Sequence, residues 1–271
     1  MVKTKDILEL VNAIASFDIA EDWDNSGLQA GNPDWEVKKI MIGLDVSMAL
    51  MTAAEEWNSD LVLTHHPLMI RPENSMDFSK MPGSAIETAA RQKISIVSAH
   101  TNLDKAKDGL NDYFAAKIGL KKTKRFFCST SSSLLPDEIT GIGRLGQLES
   151  SMTLKQVADK IKERLKLPYL RVTGNMDLSV KSIAICTGSG GSLIDEFLKS
   201  GAGVYVTGDI KYHEARLVEE HSKGLIDVGH FGSEHMAVDL LSDKLGQVIK
   251  KAGLNIQIKK FKKEKDPFLI V

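Results

Sequence analysis

Cysteine is scarce in this chain. Only Cys128 and Cys186 occur among its 271 residues, and they show no C-x-x-C spacing. Two such residues do not make the disulfide framework of a small secreted domain. We therefore expect a reducing, cytoplasmic environment without disulfide bonds.

The chain also lacks an excess of charge of either sign. Its 35 Lys and Arg residues and 36 Asp and Glu residues leave a formal net charge of −1. No global field therefore favours nucleic acid or a membrane surface as a partner. The locally basic stretch 259–268 is better interpreted as a solvated edge strand than as a nucleic-acid patch, because runs of charge usually face water.

Long hydrophobic runs are missing as well. No stretch of the sequence approaches the roughly 20 apolar residues of a membrane span. Asp6 and Glu9 interrupt the apolar stretch near the start, so residues 1–17 are interpreted as an amphipathic helix and not as a targeting signal. Its apolar face would carry Ile7, Leu10, Val11 and Ile14.

What is present is an alternation of apolar strand patterns and helical patterns. Strands are predicted at 38–46, 60–64, 94–100, 180–186, 203–209 and 224–230. Helices are predicted at 48–58, 85–93, 108–120, 192–201 and 212–220, with Asp108 as a possible N-cap and Gly119 as a C-terminal stop for the third of them. This alternation is typical of an α/β fold.

The two halves of the chain align with each other. Residues 60–66 overlie 203–209 without a gap, and further on His100 overlies His230 and Asp104 overlies Glu234. Shared strand patterning could produce part of this match, but the paired H-x-x-x-[DE] favours duplication. We therefore predict a first α/β repeat at 1–125 and a second at 126–271, with a seam at 130–141.

Several imidazole and carboxylate groups follow predicted strands. They are His65, His66, Asp104, His230 and Glu234. Ligands gather beyond the carboxyl ends of strands in α/β sheets, and these groups are ligands of zinc, manganese and iron. The five suit two neighbouring ions, with one of the adjacent histidines on each ion and the two carboxylates bridging. Taken singly, each histidine could instead be structural, and Asp104 could be a turn or cap residue.

Other motifs leave two interpretations open. Ser233 or His235 could be the reactive neighbour in place of Glu234. The Gly-rich stretch 186–192 could cradle an anion or form a tight turn. Residues 23–31 favour a packed tryptophan followed by a turn over a substrate role, and Asp209 and His213 could reach the site or be structural.

The motifs together resemble a known family. They are "WDNSGLQAG", "LTHHPL", "SAHTNLD", "GSGGS", "TGDIKYHEA" and "GHFGSE", and they run in this order along essentially the whole chain. The sequence is identified by them as a member of the Nif-three-like family, whose members are called GTP cyclohydrolase I type 2 homologues.

The resemblance implies a duplicated α/β fold with mixed sheets in two intertwined halves and a dinuclear metal site in the cleft between the halves. Carried over by position, the ligands are His65, His66, Asp104, His230 and Glu234, with His100 in or near the second shell. The family also implies a toroidal homohexamer whose sites face an internal cavity.

Two functions of different classes follow from these expectations. The first is a metal-dependent hydrolase that uses two divalent ions (Zn, Mn, Fe or Co) on an unidentified small molecule, with His100 or His213 as candidates for proton transfer. The second is a metal chaperone or regulatory adaptor without turnover, which needs neither an open coordination position nor a substrate pocket.

Overall fold

A computed structural model describes residues 1–127 and 141–270 of the chain. Cys128 and all but the last residue of the predicted seam at 130–141 lie outside these residues. The fold is α/β with two mixed sheets, as predicted. Two compact units make up the chain, Met1–Ala106 with Ala237–Lys265 and Lys107–Met236 with Asp266–Val271. The boundary predicted between sequence repeats, at 125 and 126, stays a prediction.

The first unit contains one five-stranded sheet. Its strands are β1 (Gly27–Ala30), β2 (Lys39–Gly43), β3 (Leu61–Thr64), β4 (Ser95–Ser98) and β11 (Gln257–Lys260), in the order β1-β4-β3-β2-β11. Its helices are α1 (Thr4–Ile14), α2 (Met48–Glu56), α3 (Gly83–Gln92), α4 (Thr101–Lys105) and α10 (Ala237–Lys251). Strands β11, β2, β3 and β4 are parallel, and β1 is antiparallel to β4.

The apolar patterns of this unit form its core. Strand β3 is buried along its whole length, and α1 buries Ile7 and Val11 as the periodicity predicts. Helices α2 and α3 pack with Met41 and Phe261 in one hydrophobic cluster. Because β2, β3 and β4 are parallel neighbours, their carboxyl ends lie at one edge of the sheet, and the residues that follow them meet there.

The second unit contains a six-stranded sheet. Its strands are β5 (Lys121–Phe127), β6 (Ile142–Thr153), β7 (Arg171–Thr173), β8 (Ser179–Ser189), β9 (Val204–Gly208) and β10 (Gly224–Asp227), in the order β5-β6-β8-β9-β10-β7. Its helices are α5 (Leu110–Ile118), α6 (Leu154–Leu165), α7 (Ile194–Lys199), α8 (Tyr212–Glu220) and α9 (His230–Glu234).

Both sheets contain the same local topology. Three neighbouring parallel strands, β2-β3-β4 in one and β8-β9-β10 in the other, are followed by a short antiparallel strand on the far side, β1 or β7. A five-residue helix follows the third parallel strand in each case, α4 after β4 and α9 after β10. The regions that align in sequence therefore occupy equivalent places in their sheets.

Two helix-end predictions had different outcomes. Gly119 ends α5 in the left-handed conformation at φ +85°, as predicted. The N-cap prediction for Asp108 is wrong, because Gly109 occupies that position and Asp108 instead takes a left-handed conformation with φ +55°. The backbone N–H of Asp108 donates to Asp112 Oδ2 in the first turn of α5.

The basic stretch at 259–268 begins as a strand. Lys259 and Lys260 lie in β11 at the edge of the first sheet, as the interpretation of a solvated edge predicts. Among the helices within residues 1–127 and 141–270, none has the length and apolar character needed to cross a membrane.

Candidate metal-binding site

The adjacent histidines His65 and His66 lie just past the end of β3, which terminates at Thr64. The backbone there is held firmly: His66 N–H donates to Leu44 O at 2.9 Å, and the Thr64 hydroxyl donates to His66 O at 2.7 Å. Because both residues follow the strand, their side chains need not alternate between its two faces and can point to the same site. Their ring centroids are 5.0 Å apart.

His100 joins these two histidines from the neighbouring strand. It lies between the end of β4 and the first residue of α4. Its ring centroid is 5.3 Å from that of His65 and 5.6 Å from that of His66. One ring nitrogen of each histidine lies within 4.8 Å of the others, a spacing at which three imidazoles can hold one metal ion.

Each of these rings is oriented by an oxygen acceptor at Nδ1. His65 Nδ1 lies 2.8 Å from Ala99 O, His66 Nδ1 lies 2.7 Å from Asp45 Oδ1, and His100 Nδ1 lies 2.7 Å from Asp24 Oδ1. Carbonyl and carboxylate oxygens only accept, so we assign the proton of each neutral ring to Nδ1. The lone pair is then on Nε2, as in histidines that bind metal ions.

Asp104 adds a carboxylate to the histidine cluster. It lies on α4, where its backbone N–H donates to His100 O at 3.1 Å, and its Oδ1 is 3.8 Å from His65 Nε2. The His65 side chain is fully buried and that of Asp104 is mostly buried. The histidine cluster (His65, His66 and His100) with Asp104 is therefore a donor set of the kind that binds zinc, manganese or iron.

The pKa of Asp24 is strongly lowered by its surroundings. Burial raises the pKa of Asp24, but hydrogen bonds to its carboxylate from His100, Thr101 and Ser26 outweigh this effect, so its pKa lies well below the ordinary value. An ionised Asp24 fixes the ring of His100 and, through Thr101, the start of α4.

His230 and Glu234 form the corresponding pair in the second unit. They are the first and last residues of α9, so they share a face of the helix, and His230 Nε2 is 2.8 Å from Glu234 Oε2. His230 Nδ1 lies 2.7 Å from Asp209 Oδ2, and Glu234 is buried. Asp209 thus orients the ring of His230 as Asp24 orients that of His100.

The Gly-rich stretch 186–192 packs against this pair. A Cβ at Gly188 would lie 2.2 Å from Glu234 Oε1 and 3.5 Å from His230 Cε1, so the Glu234 carboxylate occupies the space that a side chain would need. Gly188 N–H donates to Ser233 Oγ at 2.9 Å, and the Ser233 hydroxyl donates to His230 O at 2.8 Å. These contacts give Ser233 a structural role in holding α9 against β8.

Three further predicted residues are placed as follows. His235 caps α9 and stacks on Phe231, with ring centroids 4.6 Å apart. His213 lies exposed in the first turn of α8, edge-on to the ring of Tyr212. The expectation that Trp23 packs in the core is wrong, because 60% of Trp23 is exposed.

The predicted ligands are thus divided, with His65, His66 and Asp104 in the first unit and His230 and Glu234 in the second. Sequence reasoning missed Asp24 and Asp45, which orient His100 and His66. A signal for Asp45 existed, because it lies near the end of the strand predicted at 38–46, which neighbours β3. The sequence holds no such signal for Asp24, which reaches His100 across 76 residues.

A cavity of about 420 Å³ opens beside His230. Its walls include Tyr169, Phe231 and Phe268, and Arg171, which is paired with the buried Asp227. The second unit therefore has room for a small molecule next to His230.

A family model described as Duf34/NIF3 (NGG1p interacting factor 3) matches residues 2–267. The chain belongs to the Duf34/NIF3 family. This confirms the resemblance stated from the motifs.

Relatives in sequence and structure agree with this membership. A Duf34/NIF3 relative from Clostridium acetobutylicum, named GTP cyclohydrolase 1 type 2 homolog, is 34% identical over 98% of this chain and 98% of its own. The crystal structure of a Bacillus cereus protein related to NIF3 matches 100% of this chain with 99% of its own, at a TM-score of 0.92 and 23% identity. This match shows that the two chains share a fold. Protein SA1388 of Staphylococcus aureus has a TM-score of 0.90 at 27% identity, with 100% and 99% coverage.

Proposed function

We propose that this protein is a metal-dependent hydrolase with a dinuclear centre. The observation that carries the proposal is the orientation of the ligand histidines: His65, His66 and His230 each have Nδ1 held by an oxygen acceptor. With Nδ1 held in this way, Nε2 is the nitrogen that can bind a metal ion. Histidines that bind metal ions in proteins usually have such an acceptor.

The proposed ligands are those implied by the family motifs, His65, His66, Asp104, His230 and Glu234. The donor chemistry fits, because neutral imidazoles add no charge while two carboxylates offset part of the charge of two divalent cations. The ions would supply Lewis acidity for hydrolysis.

We assign proton transfer to His100 in preference to His213. His100 lies within the histidine cluster and is tied to an ionised carboxylate at Nδ1, so its Nε2 can accept and return a proton while the ring stays in place. His213 lies on an exposed helix turn.

The hydrolase is favoured over a metal chaperone by the cavity beside His230, which a delivery protein does not need. The Clostridium acetobutylicum relative is named GTP cyclohydrolase 1 type 2 homolog, so GTP is the first substrate to test. The substrate class we propose is a small molecule with a hydrolysable ring carbon, amide or phosphoester.

The first test of this proposal is metal content. The full-length protein, purified without added metal and then loaded with Zn²⁺ or Mn²⁺, is expected to hold about two ions per chain by inductively coupled plasma mass spectrometry. His66→Ala and Glu234→Gln should each lower the content, while His221→Ala, which changes an exposed histidine at the end of α8, should not. Full occupancy in both ligand variants would refute the assignment.

The second test is turnover. Loaded and metal-free protein are compared on GTP, cyclic amides and phosphoesters, with Glu234→Gln as the inactive control. Metal-dependent turnover supports the hydrolase. Inactivity on all three classes together with rapid transfer of the ions to a chelator would overturn it in favour of the chaperone.

A further inference from the structure

Trp23 is a large aromatic side chain that remains open to solvent. It is 60% exposed, although a tryptophan buries much apolar area when it packs. Its ring lies edge-to-face with the His100 ring, with centroids 6.0 Å apart at an angle of 76°. An exposed indole therefore borders the histidine cluster.

The backbone around Trp23 is fixed on both sides. Glu21 N–H donates to Thr101 Oγ1 at 2.9 Å, and Asp24 N–H donates to Glu21 O at 2.9 Å. The buried side chain of Asp24 then binds His100 and the backbone of Thr101. Asp24 thus fixes both the backbone next to Trp23 and the His100 ring, and the edge-to-face contact with His100 places the indole beside the cluster.

Preorganised aromatic surfaces bind flat rings. A base stacks on an exposed indole with little regard to its identity, because every base has a π face, and a fixed ring loses little entropy on binding. Trp23 borders the histidine cluster at His100, so a ring stacked on it would lie beside the proposed metal site.

We propose that Trp23 forms an aromatic subsite that stacks a planar heteroaromatic ring of the substrate beside the histidine cluster. This inference rests on the proposed function, since it takes the histidine cluster as part of the metal site. It narrows the substrate class to molecules with such a ring, of which a purine nucleotide is the test case.

The experiment compares two probes on metal-loaded full-length protein. GTP carries a purine ring, whereas inorganic tripolyphosphate has the phosphates alone. Trp23→Ala is expected to weaken GTP binding by about 5- to 150-fold, the range found for loss of one base–aromatic stack, and to leave tripolyphosphate binding unchanged. Trp23→Phe should restore most of the affinity for GTP. Phe78→Ala, which removes another exposed aromatic of the first unit, should bind both probes as the wild type does.

Tryptophan fluorescence gives a readout independent of turnover. GTP should quench part of the emission of the wild type and of Phe78→Ala, and this part should be absent from Trp23→Phe, in which Trp35 and Trp57 remain. Tripolyphosphate should quench none of it.

Several results would overturn the subsite. They are unchanged GTP affinity in Trp23→Ala, equal loss of both probes, binding of neither probe by loaded wild type, or a change in molecular mass by light scattering, which would make Trp23 an interface residue. Failure of the hydrolase would show separately, as missing metal or missing turnover in the wild type, because quenching by GTP requires neither cleavage nor product.

Discussion

An oxygen acceptor at Nδ1 sets the orientation of four histidine rings in this protein. Asp24, Asp45 and Asp209 each lie 2.7 Å from a histidine Nδ1, and the Ala99 carbonyl lies 2.8 Å from the fourth. Acceptors of this kind fix the tautomer and raise the basicity of the other ring nitrogen. Removing an acceptor should therefore weaken metal binding although no ligand is changed.

Asp45→Ala tests this at a position that is not a proposed ligand. Loss of the Asp45 carboxylate leaves His66 free to rotate and to take the other tautomer, so the affinity for Zn²⁺ should fall by about 10- to 100-fold. Competition with a chromophoric chelator measures the affinity. Asp34→Ala, which removes an exposed acid paired with Lys3 and Lys5 in the same unit, serves as the control. Equal affinities in the two variants would contradict the role given to Asp45.

Tyr205 gives the protein a pH dependence of stability at high pH. Burial raises the pKa of its hydroxyl well above the ordinary value, and the nearby Cys186 side chain adds to this. Because the folded-state pKa is the higher one, the stabilisation is complete below the unfolded-state pKa of about 10 and is lost as pH rises above it.

Tyr205→Phe separates this effect from the hydrogen bond of the same hydroxyl, which donates to Gly190 O at 3.0 Å. At pH 7 the variant should be less stable by about 1 kcal/mol, the usual net value of one hydrogen bond. Above pH 10 the free energy of unfolding should fall more steeply for the wild type than for the variant, by up to about 1.4 kcal/mol per pH unit. Urea unfolding at pH 7, 10 and 11 measures both, and a constant difference across this range would refute the prediction.

At the scale of elements, the contact of β8 with α9 decides where Glu234 lies. Gly188 is in β8 with φ +66°, and its missing Cβ leaves the space that the Glu234 carboxylate fills. The Gly-rich stretch, which could have been an anion cradle or a tight turn from its sequence, thus holds a protein carboxylate in the structure. Its glycine is required by packing as well as by backbone conformation.

Gly188→Ala should displace this carboxylate and lower metal affinity by roughly tenfold or more, as expected for a disturbed ligand environment. The chain offers a matched control in Gly253→Ala, because Gly253 has the same φ of +66° and no atom lies within 4 Å of the place that its Cβ would take. Both variants should lose about 1 kcal/mol of stability from backbone strain. Only Gly188→Ala should lose metal, and equal metal content in the two would exclude the packing role.

The sequence predicted elements best among the parallel strands of the two sheets and the helices that connect them, whereas the long elements β6, α6 and α10 were not predicted. Helix α8 has the predicted bounds, and β3 ends directly before the two histidines. The short antiparallel strands β1 and β7, of four and three residues, were not predicted, because so few residues carry no detectable alternation. These two strands are defined by their pairing with β4 and β10, which lie far away in the sequence, and a local pattern does not reveal such a pairing.

For the molecule as a whole, the internal repeat was the most informative sequence signal. It placed His100 opposite His230 and Asp104 opposite Glu234, and the structure has these residues in equivalent short helices or directly before them. The repeat drew attention to Asp209, which follows β9, but not to Asp24, which precedes β1 and has no counterpart in the aligned segments. Acceptors are supplied by whichever segment passes nearby in the fold, and spacing along the chain does not reveal that segment.

The chain enters the first unit, leaves it at Ala106 and returns at Ala237. Strand β11 and the core residue Phe261 belong to that return, so the sheet begun by β1 to β4 receives its edge strand only after the second unit has been synthesised. Domains ordinarily fold from the amino terminus as they leave the ribosome. Here the amino-terminal segment cannot complete its sheet until residues 257–260 have emerged, so the first unit is expected to finish folding only after the second unit has been synthesised.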